Sequence, residues 1–92
     1  MRGTMHTVMF DITVFAPGVR RAFRKSFETT LTPCAGHAIE DTAWKEPRVP
    51  TEITVNLTEN YVHVQFALDK YDTEEAGGCA TQMYTAHGWK AF

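Results

Sequence analysis

The chain has 92 residues, 43% of them hydrophobic and 12% aromatic, with a formal net charge of -2. That length predicts one domain spanning 1–92, and that composition excludes a disordered or low-complexity chain. No apolar run approaches the ~20 residues of a membrane-spanning helix, and Met1 to His6 hold no apolar leader core, so a cytoplasmic protein with no membrane partner is expected.

The charge is unevenly spread. Residues 1–39 carry five basic and two acidic side chains, whereas residues 40–75 carry three basic and nine acidic ones. The two cysteines, Cys34 and Cys79, are too few for a disulfide scaffold and are read as free, buried or half-buried thiols.

In chain order, residues 7–15 alternate. Val8, Phe10, Ile12 and Val14 share one strand face, and Thr7, Met9, Asp11, Thr13 and Phe15 the other. Pro17-Gly18 breaks this strand. Val19, Phe23, Phe27 and Leu31 then step by four, which predicts an amphipathic helix from Val19 to about Leu31. On its outer arc stand Arg20, Arg21, Arg24 and Lys25, four of the nine basic residues of the chain within six positions. Arginine suits bidentate contact with phosphate or carboxylate, so these four are the candidate partner or phosphate-binding residues.

Residues 33–51 contain three prolines and read as a long connection, with a short edge strand somewhere in Ala38–Ala43 and Trp44 pinned to the core. Two alternating runs, 52–58 and 61–68, predict a hairpin with Leu57 opposite Val62 and Glu59-Asn60 as its loop. Asp72 is expected to cap a second helix that turns Ala76, Cys79, Ala80, Met83 and His87 inward and stops at Gly88, with Trp89 folding back. The order β-α-(β)-β-β-α predicts an α+β fold, an antiparallel sheet of three to four strands with two helices packed on one face and the other face open.

No P-loop, dinucleotide fingerprint, nucleophile elbow or zincin helix is present. Cys34-Ala-Gly-His37 has ligand-like spacing, but Cys79 and His87 lie eight apart and do not form the second compact pair of a zinc site. No catalytic residue, metal or cofactor is expected, and a small thiol or metal enzyme is the least favoured reading. The open face is expected to present Tyr61, His63 and Asn56. The run Glu59–Phe66 resembles the signature strand of RNA-recognition motif domains at Tyr61, Val64 and Phe66, with Glu59 in place of its basic residue and Val62 in place of its small one. This resemblance implies a single-stranded RNA-binding module as an alternative.

A small acidic α+β chain built around Arg20-Arg21-Ala22-Phe23-Arg24-Lys25 is similar to the phage-encoded anti-CRISPR proteins that inhibit type I-F surveillance complexes. The likeness covers the whole chain in size, acidity and make-up. It implies a non-enzymatic inhibitor in the host-cell cytoplasm. Such a protein docks on a Cas–guide RNA complex, touching protein and the guide RNA backbone, and blocks target DNA binding.

Overall fold

The computed structural model describes residues 5–92, so the leader expectation for Met1 to Thr4 lies outside them. The elements are β1 (His6–Ala16), β2 (Val19–Thr29), β3 (Glu52–Asn56), β4 (Tyr61–Gln65), β5 (Asp69–Lys70), α1 (Glu74–Ala86) and β6 (Lys90–Ala91). They form an α+β fold with one mixed sheet in the order β3-β4-β1-β2-β6, and β5 also pairs β1. β1 runs antiparallel to β2 but parallel to β4 and β5. No helix of the described residues is long and apolar enough to cross a membrane.

The predicted first helix is a strand. Val19 to Thr29 pairs residue by residue with His6 to Ala16 around a two-residue loop, Pro17-Gly18. Gly18 takes φ +72°, the left-handed region that a type II turn requires after proline. A step of four is also two strand periods, so Val19, Phe23 and Phe27 share a face under either geometry. Long-range pairing with β1 decides for the strand, and the described residues therefore hold one helix where two were expected. The sheet is also mixed and six-stranded, not antiparallel with three or four strands.

One face of the sheet is covered. Val8, Phe10, Ile12, Val14, Phe23, Val62, Val64 and Phe66 form the core there with Ala80, Tyr84 and Trp89. The helix packs over the Pro17-Gly18 end. A Cβ on Gly77 would lie 2.6 Å from the Ala16 Cβ, so only glycine permits this approach. The connection covers the middle of the face. Its Trp44 is buried as expected, with ring centroids 4.9 Å from Phe66 and 5.8 Å from Trp89. Instead of an edge strand, the connection holds a single bridge between Ile39 and Arg48.

Two further expectations shift in detail. The β3–β4 hairpin pairs Val55 with Val62 and Ile53 with Val64, two residues out from the predicted register. Strand faces are preserved, but the loop becomes Leu57 to Asn60 and Leu57 is 88% exposed. Asn60 supplies the positive φ, +62°, that its side chain suits. Thr73, not Asp72, caps α1 by accepting from the Ala76 amide; Ala80 and Met83 pack inward as expected, but Gly77 and Tyr84 are buried as well and Cys79 turns out. The helix stop is as read: Gly88 has φ +88°, and the Trp89 amide donates to the Tyr84 carbonyl.

Candidate functional site

The basic run divides when it becomes a strand. Side chains alternate, so Arg20 and Arg24 stand on the open face and Arg21 and Lys25 on the covered one. The four therefore do not form one surface. Two of them are also engaged internally.

Arg24 grips Asp11, its cross-strand partner, through Nε to Oδ1 at 2.7 Å and Nη2 to Oδ2 at 2.8 Å. The His63 Nε2 lies 2.6 Å from the same Oδ2, and the Gln65 amide donates to the Asp11 carbonyl. Phe92 stacks under the Arg24 guanidinium at 4.5 Å. Burial would raise the Asp11 carboxyl, but the hydrogen bonds and charge of Arg24 and His63 outweigh it and hold the group below the ordinary carboxylate value. Asp11 is thus a buried hub on the face that is otherwise uncovered.

Lys25 reaches the opposite way. Its Nζ donates to Asp41 Oδ1 at 2.8 Å, while Asp41 Oδ2 accepts from the Trp89 indole and the Ala43 amide. Burial pushes the Asp41 carboxyl up, and these donors pull it below its ordinary value. The charge of Lys25 fastens the connection to the core. A second carboxylate, Asp69, plays a similar part for the helix. It accepts from Tyr71 at 2.8 Å and Tyr84 at 2.7 Å and pairs with Arg48 at 3.3 Å. Burial and the Asp69 charge push the Tyr71 hydroxyl up to about 12, so both tyrosines remain donors at neutral pH.

Arg20 and Arg21 are exposed and make no ion pair among the described residues. Arg20 is opposite Phe15, and Phe15 is opposite Lys70, so one row crosses three strands of the open face as Lys70–Phe15–Arg20. Phe15 is 42% exposed. At the usual strand spacing the outer two Cα atoms lie about 10 Å apart. A flat apolar ring flanked by two cations can take a planar group on the ring and anionic oxygens at either side. A shallow hollow lined by Phe15, Pro17, Arg20, Lys70, Tyr71 and one carboxylate residue, Asp72, continues from it. Sequence reading placed Phe15 on this face but missed Lys70 and the row itself, which exists only once β5 pairs β1.

Tyr61, His63 and Asn56 do lie on the open face. His63 is committed to Asp11, and the Asn56 Oδ1 accepts from the Glu59 amide to close the hairpin loop. Tyr61 is beside Thr7, eight residues along β1 from Phe15, so the two ends of the face are separated by about 27 Å.

Cys34 and Cys79 are free and exposed, which corrects the buried reading. Cys34 and His37 bond each other across a tight turn, through His37 N to Cys34 O and Cys34 N to His37 Nδ1. His87 Nδ1 lies 3.0 Å from Thr42 Oγ1. Among the described residues no group of three or more His, Cys, Asp or Glu side chains is placed to hold a metal ion. No protein-family model, no curated protein and no solved structure matches this chain.

Proposed function

We propose that this chain is a non-enzymatic docking protein that occupies a protein–nucleic-acid complex, as its likeness to anti-CRISPR inhibitors of Cas–guide RNA complexes implies. The observation that carries this reading is the Lys70–Phe15–Arg20 row on the uncovered sheet face. Nucleic acid offers the matching chemistry, a stackable base between backbone phosphates. Arg21 extends the positive charge around the same end, onto the groove beside Thr81 and Thr85. The acidic residues Glu40, Glu46 and Glu52 are exposed elsewhere and suit basic protein surfaces next to a bound RNA.

Affinity purification from the host with RNA retained tests the proposal. The native chain is expected to bring down a ribonucleoprotein complex, and the Arg20→Glu, Lys70→Glu double variant to lose it while keeping its circular dichroism. Undiminished recovery with the double variant removes the row from the proposal. A native eluate free of nucleic acid removes the proposal itself.

One observation favours a second reading, a module that binds free single-stranded RNA: Phe15, Tyr61 and Phe92 all stand on the uncovered face. Anisotropy of a labelled oligoribonucleotide would then show affinity that falls steeply with salt. No affinity at low salt counts decisively against it.

A further inference from the structure

We propose that β3 is a self-complementary edge through which two copies of this chain pair antiparallel about Thr54. The backbone hydrogen bonds fix which groups of β3 are free. The Phe66 amide donates to the Asp11 carbonyl, and the Asn60 carbonyl accepts from the Thr7 amide, so even-numbered residues of the β4 segment turn their backbone groups toward β1. Tyr61, His63 and Gln65 must then bond β3, through their partners Asn56, Thr54 and Glu52. The N–H and C=O groups of Ile53 and Val55 are left pointing away from the sheet, with no strand beyond them among the described residues.

A second β3, antiparallel and centred on Thr54, places Ile53 opposite Val55 of the other copy and Val55 opposite Ile53. All four outward groups of each strand are then paired. The same register sets Glu52 opposite Asn56, so no like charges face each other. It also keeps the faces in phase. Ile53 and Val55 point to the covered side, where Val55 is 52% exposed in the single chain, and the second copy extends the apolar surface of Val62 and Val64 over them. Registers centred elsewhere leave strand residues unpaired or lead into the Leu57–Asn60 loop.

The opposite edge of the sheet is built differently. It is closed by the two-residue β6 and carries Arg20, Arg21, Glu28 and Lys90, the kind of charge that keeps edges apart. β3 has no lysine and no proline, and its five residues pair one to one with β4, so a copy of itself is the occupant that they fit.

Cysteine crosslinking tests the register directly. In a Cys34→Ser, Cys79→Ser background, Thr54→Cys is expected to form a covalent dimer on mild oxidation, because non-bonded antiparallel partners lie about 4.5 Å apart at Cα. Glu52→Cys is expected to form none, since its counterpart would be about 13 Å away along the strands. Light scattering of the native chain is expected to show concentration-dependent dimers, and Val55→Lys to weaken them about tenfold or more. A native chain that stays monomeric to millimolar concentration overturns the proposal. So does crosslinking that is absent at position 54 or equal at 52 and 54.

Discussion

Arg20 and Arg21 are neighbours of Arg24 and Lys25 in sequence, yet the two pairs have different physical roles. Arg24 and Lys25 lie in mid-strand, where Asp11 waits on one face and Asp41 on the other. Their charges are neutralised at 2.7 and 2.8 Å, and they hold the sheet and the connection together. Arg20 and Arg21 lie beside the Pro17-Gly18 turn, where no carboxylate of the described residues pairs with them, although Asp72 lines the same hollow as Arg20. A run of like charge therefore marks a contact surface only where the fold leaves it without a partner.

The largest expected effect breaks the internal half of this contrast. Asp41→Ala leaves the Lys25 ammonium and the Trp89 indole without their acceptor in a buried setting, at a cost of about 2–4 kcal/mol in urea unfolding. A cost under about 1 kcal/mol would erase the distinction between the two pairs.

Acid should act on the same groups. Asp11 and Asp41 have folded-state values lowered below the ordinary carboxylate value, so each contributes stability that is fully present above about pH 4 and is lost as pH falls through its folded value. Unfolding midpoints measured from neutral pH down to about pH 2 should fall, and Asp41→Asn should flatten that fall relative to the native chain. An unchanged slope in the variant means that Asp41 is not one of the groups responsible.

Arg24→Ala is expected to cost less, about 1 kcal/mol, because its side chain is 39% exposed and solvent screens the bidentate pair. The smallest effect sharpens the other half. Arg20→Ala with Arg21→Ala should leave stability within about 0.5 kcal/mol in the same unfolding assay, while recovery of a ribonucleoprotein partner drops. A destabilisation equal to that of Arg24→Ala would show that all four cations are structural.

Much of the fold is legible along the chain. The alternation of Val8, Phe10, Ile12 and Val14, the two runs of the β3–β4 hairpin, the descent of Trp44 into the core and the stop at Gly88 all follow from local pattern. The identity of β2 was within reach as well. Reflection about Pro17-Gly18 sets Val8 against Phe27, Ile12 against Phe23 and Asp11 against Arg24, apolar facing apolar and acid facing base. The spacing of four that suggests a helix satisfies this reflection equally well. The inward turn of Tyr84 was not legible, because which arc of the helix meets the sheet is decided by packing, here by the close approach of Gly77 to Ala16.

By itself the sequence determined the elements whose signal is short-range: one apolar face per strand, an open face opposite, a capped helix, and a basic run unlike the rest of an acidic chain. The tertiary structure alone decided which of those basic residues are free. That outcome depends on where Asp11, Asp41 and Lys70 are brought by strand pairing and by a long connection, and Coulomb attraction acts on distance in space, not on separation along the chain.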